Sequence, residues 1–213
     1  MSIPSRLKLL TSSIPSNVTL VAVSKKKPNN DILSAYHAGQ RIFGENKVQE
    51  IQEKQKALPP DIQWHMIGHL QTNKVKHIAP FISLIHSVDS LKLLQEINKR
   101  AKQNNRIIDC LLQVHIAKEN TKFGFKIEEI NKTIEEAKEL KNITIKGLMA
   151  MATFTDEIKQ INKEFISIHN LFKKIKTKKL NTLSIGMSSD YQLAINNGSN
   201  MIRLGSAIFG NRN

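Results

Sequence analysis

Lys25 is the residue whose type and position most directly suggest chemistry. It ends segment 18–25, an apolar stretch that we interpret as a buried β-strand. The two-residue period of a strand places Lys25 on the same face as Val21 and Val23. An amine held in a partly desolvated pocket has a lowered pKa, and its neutral form condenses with an aldehyde or another carbonyl. The alternative is that Lys25 simply begins a run of three lysines, because such runs usually lie on the solvated surface.

Polar and small residues follow the ends of several other predicted strands. Asn46 follows the second strand, and segments 186–188 and 205–206 follow the last two. In β/α barrels the loops after strands seven and eight commonly bind phosphate, because glycine lets backbone N–H groups approach the anion and serine hydroxyls donate to it. Serine and aspartate are also ordinary helix caps, so either loop alone is weak evidence. The two loops together predict a phosphate site across the mouth from Lys25.

The elements that position these residues alternate between strands and helices along the whole chain. Such alternation indicates parallel strands joined by helical crossovers. Eight strand-helix units in about two hundred residues predict an α/β fold, a single closed (β/α)8 TIM barrel, with a doubly wound open sheet as the alternative. No linker or low-complexity segment divides residues 1–213, so we expect one domain. We predict strands at 18–25, 41–44, 63–68, 82–88, 107–116, 143–150, 182–186 and 201–205, and helices at 6–10, 31–38, 48–57, 72–77, 90–103, 127–140, 156–176 and 189–196.

The composition favours a globular protein in the cytoplasm. Hydrophobic residues make up 40% of the 213 residues, and no apolar run approaches the roughly 18 residues needed to cross a bilayer, so no membrane association is expected. The N-terminal residues lack the apolar core and cleavage site of a secretory signal. Cys110 is the only cysteine and lies in an apolar stretch, which predicts a buried, inert thiol. The seven histidines show no paired ligand spacing with acidic or cysteine partners, so we predict no metal site.

The chain is strongly basic. Lysine and arginine number 32 against 18 acidic residues, which gives a formal net charge of +14. Such an excess attracts nucleic acid, acidic membrane surfaces or phosphorylated ligands. The lysines are spread through every predicted helix and aromatic residues make up only 5%, so the sequence has neither a basic stripe nor a stacking platform. Nucleic-acid binding is therefore the least favoured hypothesis, and it predicts a steep fall in affinity with added salt.

A reactive amine across the mouth from a phosphate site suggests pyridoxal 5'-phosphate, and the motifs around both features resemble those of one family. From Val18 to Arg212, in unbroken order, the chain is similar to the YggS/PROSC family of pyridoxal phosphate homeostasis proteins. The resemblance implies a single barrel like the N-terminal domain of alanine racemase, which binds pyridoxal phosphate as a Schiff base and has no established catalytic turnover. The motifs that carry it are VAVSK at 21–25, FGEN at 43–46, WHMIGHLQTNK at 64–74, GLMA at 147–150, GMSSD at 186–190 and IRLGSAIFG at 202–210.

The resemblance also implies roles for individual residues. It makes Lys25 the Schiff-base lysine and places Arg203 opposite the pyridine nitrogen of the cofactor. Arginine only donates hydrogen bonds, so it cannot stabilise a protonated pyridinium as a carboxylate would. The bound cofactor is then a poorer electron sink. The other positions expected to contact the cofactor are Asn46, Met187, Ser188, Gly205 and Ser206, with the two serines and Gly205 at its phosphate.

These features favour a carrier over an enzyme. The leading hypothesis is intracellular vitamin B6 homeostasis, in which a monomer holds pyridoxal phosphate on Lys25 and supplies it to apo-enzymes, its prospective protein partners. The runner-up is a pyridoxal-phosphate-dependent amino-acid racemase. A racemase of the related fold needs a second acid/base, a tyrosine that an additional domain and a partner subunit supply, and this chain has no room for that domain. Its only tyrosines are Tyr36, within the first helix after Lys25, and Tyr191, in the helix after Ser188.

The sequence alone does not assign a role to two further residues and one segment. His65 lies on a predicted strand between Trp64 and Met66, where we expect a packed, hydrogen-bonded core histidine more than a ligand. Lys47 stands where the resembled family most often has tyrosine, which leaves an aromatic contact from that position in doubt. Segment 120–124 also matches the family pattern, and we interpret it either as a lid over the mouth or as a lead-in to the next helix.

Overall fold

The protein is a closed parallel β/α barrel. A computed structural model describes residues 1–117 and 123–210 of the chain, and all eight of its strands form one ring. The strands are β1 Thr19–Val23, β2 Ile42–Glu45, β3 Gln63–Met66, β4 Leu84–Val88, β5 Ile108–Gln113, β6 Ile143–Met149, β7 Thr182–Ser184 and β8 Met201–Leu204. Each strand pairs in parallel with the next, and β1 pairs with β8 to close the ring. The predicted (β/α)8 barrel is confirmed, and the open sheet is excluded.

Helices cover the outside of the barrel. They are α1 Ile3–Ser13, α2 Asn29–His37, α3 Val48–Ala57, α4 Leu91–Gln103, α5 Ile130–Ala137, α6 Ile158–Ile175, α7 Tyr191–Asn196 and α8 Ser206–Phe209. A 3-10 helix, Thr72–His77, takes the crossover between β3 and β4, and a second, Ile127–Glu129, leads into α5. Each helix buries one face, as α4 does with Leu93, Leu94, Ile97 and Ala101.

Several predicted boundaries were wrong by a few residues. The strands were mostly predicted too long, with ranges that run up to three residues past the strand ends into the loops at the mouth. The prediction for β5 reached residue 116, whereas the strand ends at Gln113 and the next residue forms an isolated bridge with Phe125. α1 is longer than the predicted 6–10, since it begins at Ile3 behind the cap Ser2. The predicted 127–140 helix is divided between a 3-10 turn and α5.

The core has two layers that follow the alternation of the strands. Val21 belongs to a small cluster inside the barrel, together with Leu111 and Met149, whereas Ala22 packs in the larger layer between the strands and the helices. The side chains of Val21 and Ala22 are both fully buried. Odd-numbered residues of β1 therefore face the barrel interior. This is the face on which the strand period places Lys25.

Three further predictions concern the Cys110 thiol, membrane-spanning helices and metal sites. Cys110 is fully buried, so the expected burial of its thiol is confirmed, and burial together with the nearby Asp109 raises the pKa of the thiol. In the described ranges no helix combines the length and the apolar character that crossing a membrane requires. The same residues contain no group of three or more histidine, cysteine or acidic side chains placed to hold a metal ion.

Candidate functional site

A cavity of about 620 Å³ opens at the carboxyl ends of the strands. Active sites of β/α barrels lie at this end, because the loops that follow the strands meet there. A second cavity of about 650 Å³ lies at the opposite end and contains none of the predicted site residues. We therefore identify the first cavity as the candidate site. All seven residues predicted to contact a cofactor line it: Lys25, Asn46, Met187, Ser188, Arg203, Gly205 and Ser206.

A tight turn after β1 carries Lys25 to the cavity. The strand ends at Val23, two residues earlier than predicted, and the backbone N–H of Lys27 then donates to the carbonyl of Ser24 at 3.0 Å. Lys26 adopts the left-handed conformation, with φ of 61°, which redirects the chain immediately after Lys25. The run of three lysines is thereby divided: Lys25 and Lys27 line the cavity, and Lys26 is exposed.

Lys27 is a cavity residue that the sequence reasoning did not single out. Its ammonium donates to the backbone carbonyl of Phe209 at 3.3 Å, which places the positive charge of Lys27 beside the loop after β8. The available signal was its position two residues after Lys25. This signal was not decisive, because the three consecutive lysines are the same residue type and the sequence does not distinguish Lys27 from the exposed Lys26.

Asn46 lies where the loops after β2 and β3 touch. A Cβ atom on Gly68 would lie 2.4 Å from the carbonyl oxygen of Asn46 and 2.7 Å from its Cα atom. Only glycine allows this approach, because both neighbouring atoms belong to the backbone and cannot swing away. Gly68 thus sets how close the β3 loop comes to Asn46.

We expect Gly68→Ala to lower the free energy of unfolding by about 2 kcal/mol, because the added methyl group must separate the two loops. Urea denaturation of the wild type and the variant measures the change. Gly205→Ala is the matched control, since a Cβ atom there meets its nearest neighbour, in Val23, at an ordinary 3.5 Å. Equal stability of the two variants would contradict the close approach of Gly68 to Asn46.

The loops after β7 and β8 are joined through Ser188. Its hydroxyl oxygen accepts hydrogen bonds from the backbone N–H groups of Gly205 and Ala207, at 3.1 and 3.4 Å. The β7 loop is itself fixed by Asp190, whose carboxylate accepts from the N–H of Met187 at 2.6 Å. Two backbone donors therefore converge on one oxygen at the edge of the cavity, an arrangement that suits an anion.

Arg203 lies on β8 with its guanidinium buried at the cavity. One of its terminal nitrogens donates to the carbonyl and hydroxyl oxygens of Ser184, at 2.8 and 2.7 Å, and the other to the carbonyl of Ala150 at 3.0 Å. Burial lowers its pKa to about 10, against the raising effect of Asp190, so the side chain stays charged at neutral pH. The structure thus holds a positive charge at the cavity through neutral oxygen atoms.

Two buried histidines lie behind Arg203. His65 Nδ1 is 3.0 Å from His86 Nε2, and His86 Nδ1 is 3.2 Å from the hydroxyl of Ser184. Burial lowers the pKa of His65 to about 3 and the pKa of His86 well below its usual value, so both rings are neutral. The expectation of a core histidine at His65 is confirmed. His86 was missed, although a histidine on the inward face of an apolar strand was a visible signal.

Segment 120–124, interpreted from the sequence as a lid or as a lead-in to the next helix, lies mostly outside the described residues, which resume at Phe123. The ring of Phe123 stacks on His69, with centroids 3.8 Å apart, and His69 pairs with Asp89 at 2.9 Å. Lys47, at the position in doubt, is the residue that precedes α3. It is not among the residues that line the cavity.

The barrel and its mouth define a protein of the alanine racemase N-terminal domain class, and the profile of that domain matches residues 2–213. An alanine racemase from Clostridium difficile has the same fold, with a TM-score of 0.82 at 14% identity over 99% of this chain and 57% of that one. The chain belongs to the pyridoxal phosphate homeostasis protein family. It is 38% identical over 206 residues to the protein of that name from Pasteurella multocida, covering 92% of this chain and 88% of the relative.

A solved relative is PipY from Synechococcus elongatus, which has been determined without and with pyridoxal phosphate bound. Both structures are 35% identical to this chain and cover 98% of it and 100% of PipY. The TM-scores are 0.93 without and 0.90 with the cofactor. The family membership predicted from the sequence motifs is confirmed.

Proposed function

We propose that this chain binds pyridoxal 5'-phosphate as a Schiff base on Lys25 and holds it for delivery to apo-enzymes. The observation that carries the proposal is the convergence of Lys25, the buried guanidinium of Arg203 and two anion-suited loops on a single cavity. Family membership supports it, since the relatives are pyridoxal phosphate homeostasis proteins and PipY binds the same cofactor.

The donors around the cavity suit the chemical groups of the cofactor. Ser188, Ser206 and the N–H groups of Gly205 and Ala207 would hold the phosphate, which would replace the Ser188 hydroxyl as the acceptor of the two N–H groups. The ammonium of Lys27 lies beside the same loop. Met187 and Asn46 would flank the ring from the two sides of the mouth. When bound, the cofactor supplies an aldehyde that condenses with amines. Lys25 would provide that amine.

Arg203 supports storage over catalysis. We propose that its guanidinium faces the pyridine nitrogen, where it donates a hydrogen bond and has no lone pair to accept a proton. A cofactor held in this way is a poor electron sink, so bonds of an attached amino acid are weakly activated. Neither tyrosine supplies a second acid/base, because neither lines the cavity, and the hydroxyl of Tyr36 donates to Asp61 at 2.7 Å. We also propose a single cytoplasmic domain that acts as a monomer.

Purified wild-type protein incubated with pyridoxal phosphate is expected to turn yellow, and borohydride is expected to fix the cofactor on the peptide that contains Lys25. Lys25→Ala should remain colourless, because the amine that remains in the cavity, Lys27, is held by the carbonyl of Phe209 beside the loop after β8. Lys26→Ala is the matched control and should bind as the wild type does, since Lys26 is exposed. Visible absorption and peptide mass spectrometry provide the measurement.

The proposal fails if the wild type takes up no cofactor, or if borohydride fixes the cofactor on Lys27 and not on Lys25. Amino-acid racemisation, the alternative suggested by the fold of alanine racemase, is tested with L-alanine and L-serine. Sustained formation of the D-isomers that depends on Lys25 would replace storage with catalysis.

A further inference from the structure

We infer that Glu45, Glu50 and Lys54, here called the charged cluster, are positioning residues that hold the turn carrying Lys25. The cluster lies behind the turn, on the face of β1 opposite the barrel interior. The inference rests on the proposed function, in which the amine of Lys25 binds the cofactor. It extends that function because none of the three residues lines the cavity.

Lys54 is the centre of the charged cluster. Its ammonium donates to Glu45 Oε1 at 2.8 Å, to the carbonyl of Ser24 at 2.9 Å and to Glu50 Oε2 at 3.0 Å. An ammonium has three donors, so each of them has one acceptor. Lys54 is 7% exposed and Glu45 is fully buried, so water does not replace the contact between these two side chains.

The charged cluster binds the chain on both sides of Lys25. On one side, the hydroxyl of Ser24 donates to Glu45 Oε1 at 2.6 Å while its carbonyl accepts from Lys54. On the other side, the backbone N–H of Lys26 donates to Glu50 Oε2 at 2.7 Å. The backbone on both sides of Lys25 is therefore fixed by the charged cluster.

The turn needs such support because Lys26 has a left-handed backbone. A φ of 61° is uncommon for a residue with a side chain and persists where the surroundings impose it. The bond from the Lys26 N–H to Glu50 is the contact that imposes it here. Burial acts to raise the pKa of Glu50, but its hydrogen bonds outweigh burial and lower the pKa to about 2, so the acceptor stays ionised.

Stability alone does not explain the charged cluster. Burying charges is costly, and apolar residues of similar volume often stabilise a fold as well or better. Glu45 even has one carboxylate oxygen, Oε2, that is buried without a hydrogen-bond partner among the described residues. The arrangement instead fixes a geometry, and the geometry it fixes is that of the backbone around Lys25. A displaced amine meets the aldehyde less often in the productive orientation, which slows Schiff-base formation.

The test compares Glu50→Ala, which removes the acceptor of the Lys26 N–H, and Lys54→Met with Lys56→Met, a control at an exposed lysine on the same helix. Amide hydrogen exchange at Lys26 is measured in cofactor-free protein, and the rate of Schiff-base formation is followed by visible absorption. We expect both cluster variants to exchange faster at Lys26 and to form the Schiff base on the order of tenfold to a hundredfold more slowly. Lys56→Met should change neither quantity.

Wild-type exchange at Lys26 and wild-type Schiff-base rates in folded Glu50→Ala protein would overturn the inference. Reduced melting temperature with an unchanged Schiff-base rate would also overturn it, because that is the result of a purely structural role. Lys54→Met leaves Glu45 without its cation, so Glu50→Ala decides the matter if Lys54→Met does not fold. Failure of the wild type to form any Schiff base would refute the proposed function, whereas the exchange at Lys26 would still test the charged cluster.

Discussion

Gly147→Ala is expected to abolish folding or to leave an insoluble protein. Gly147 lies in β6 opposite Thr182 of β7, and a Cβ atom there would lie 1.7 Å from the carbonyl oxygen of Thr182 and 2.6 Å from its carbonyl carbon. Backbone atoms of a paired strand cannot move aside without opening the barrel. We expect a loss of more than about 4 kcal/mol, which is a large part of the 5–15 kcal/mol that stabilises a typical domain.

Circular dichroism and urea denaturation of the soluble fraction measure this loss. Gly39→Ala is the matched control: Gly39 has a φ of 100°, but a Cβ atom there meets nothing within 4 Å. Its cost should be about 1 kcal/mol, the penalty of the backbone conformation alone. A Gly147→Ala protein as stable as Gly39→Ala would show that β6 and β7 are not packed as closely as the structure has them.

At Gly147 the alternation of strand faces no longer predicts which residues point into the barrel. Cys110 of β5 pairs with Ile145, but Leu111 pairs with Gly147, so β6 contains one extra residue at this point. Such a bulge exchanges the two faces of a strand. Ile145 packs against the outer layer, whereas Met149, an even number of residues later, lies inside the barrel. Counting by twos from Ile145 places Met149 on the wrong face, and no local signal besides a glycine announces the exchange.

The sequence predicts best where one local signal determines the structure. α3 and the 3-10 helix Thr72–His77 have the predicted bounds, because Pro59 and Pro60 terminate the first and a polar turn precedes the second. The seven predicted site residues meet in one cavity for a related reason. Every strand of a parallel barrel has its carboxyl end at the same rim, so a residue at a strand end is placed by topology alone.

Contacts between side chains of distant elements could not be predicted in this way. Lys54 is one of 32 basic residues, and its neighbours along α3 are polar, so the sequence does not distinguish it from a surface lysine. Its burial depends on where α3 packs behind β1 and β2. The pairing of His65 with His86 likewise requires the register of β3 against β4, in which His65 lies beside Leu84. Alternation gives the face of a residue but not its partner across the barrel.

Acid is expected to destabilise the protein through His65 and His86. Both are neutral in the folded protein, with the pKa of His65 lowered to about 3 and that of His86 lowered well below its usual value by burial. The unfolded chain takes up protons near pH 6.5 and the folded protein does not, so stability is lost as the pH falls below 6.5. Each pH unit below 6.5 removes about 1.4 kcal/mol per histidine, which gives up to about 5.5 kcal/mol for the pair at pH 4.5.

Urea denaturation at pH 7.5 and 4.5 measures this loss, with His86→Gln as the test variant because glutamine keeps a donor and an acceptor. The variant should lose only about half as much stability on acidification, and the exposed control His37→Gln should lose as much as the wild type. Glu45 acts in the opposite direction, since burial raises its pKa to about 7 and proton uptake by the folded protein stabilises it between pH 7 and 4.5. That effect is common to all three proteins, so the difference between them isolates the histidines. Equal acid sensitivity of His86→Gln and the wild type would mean that the folded protein accommodates a proton on this pair.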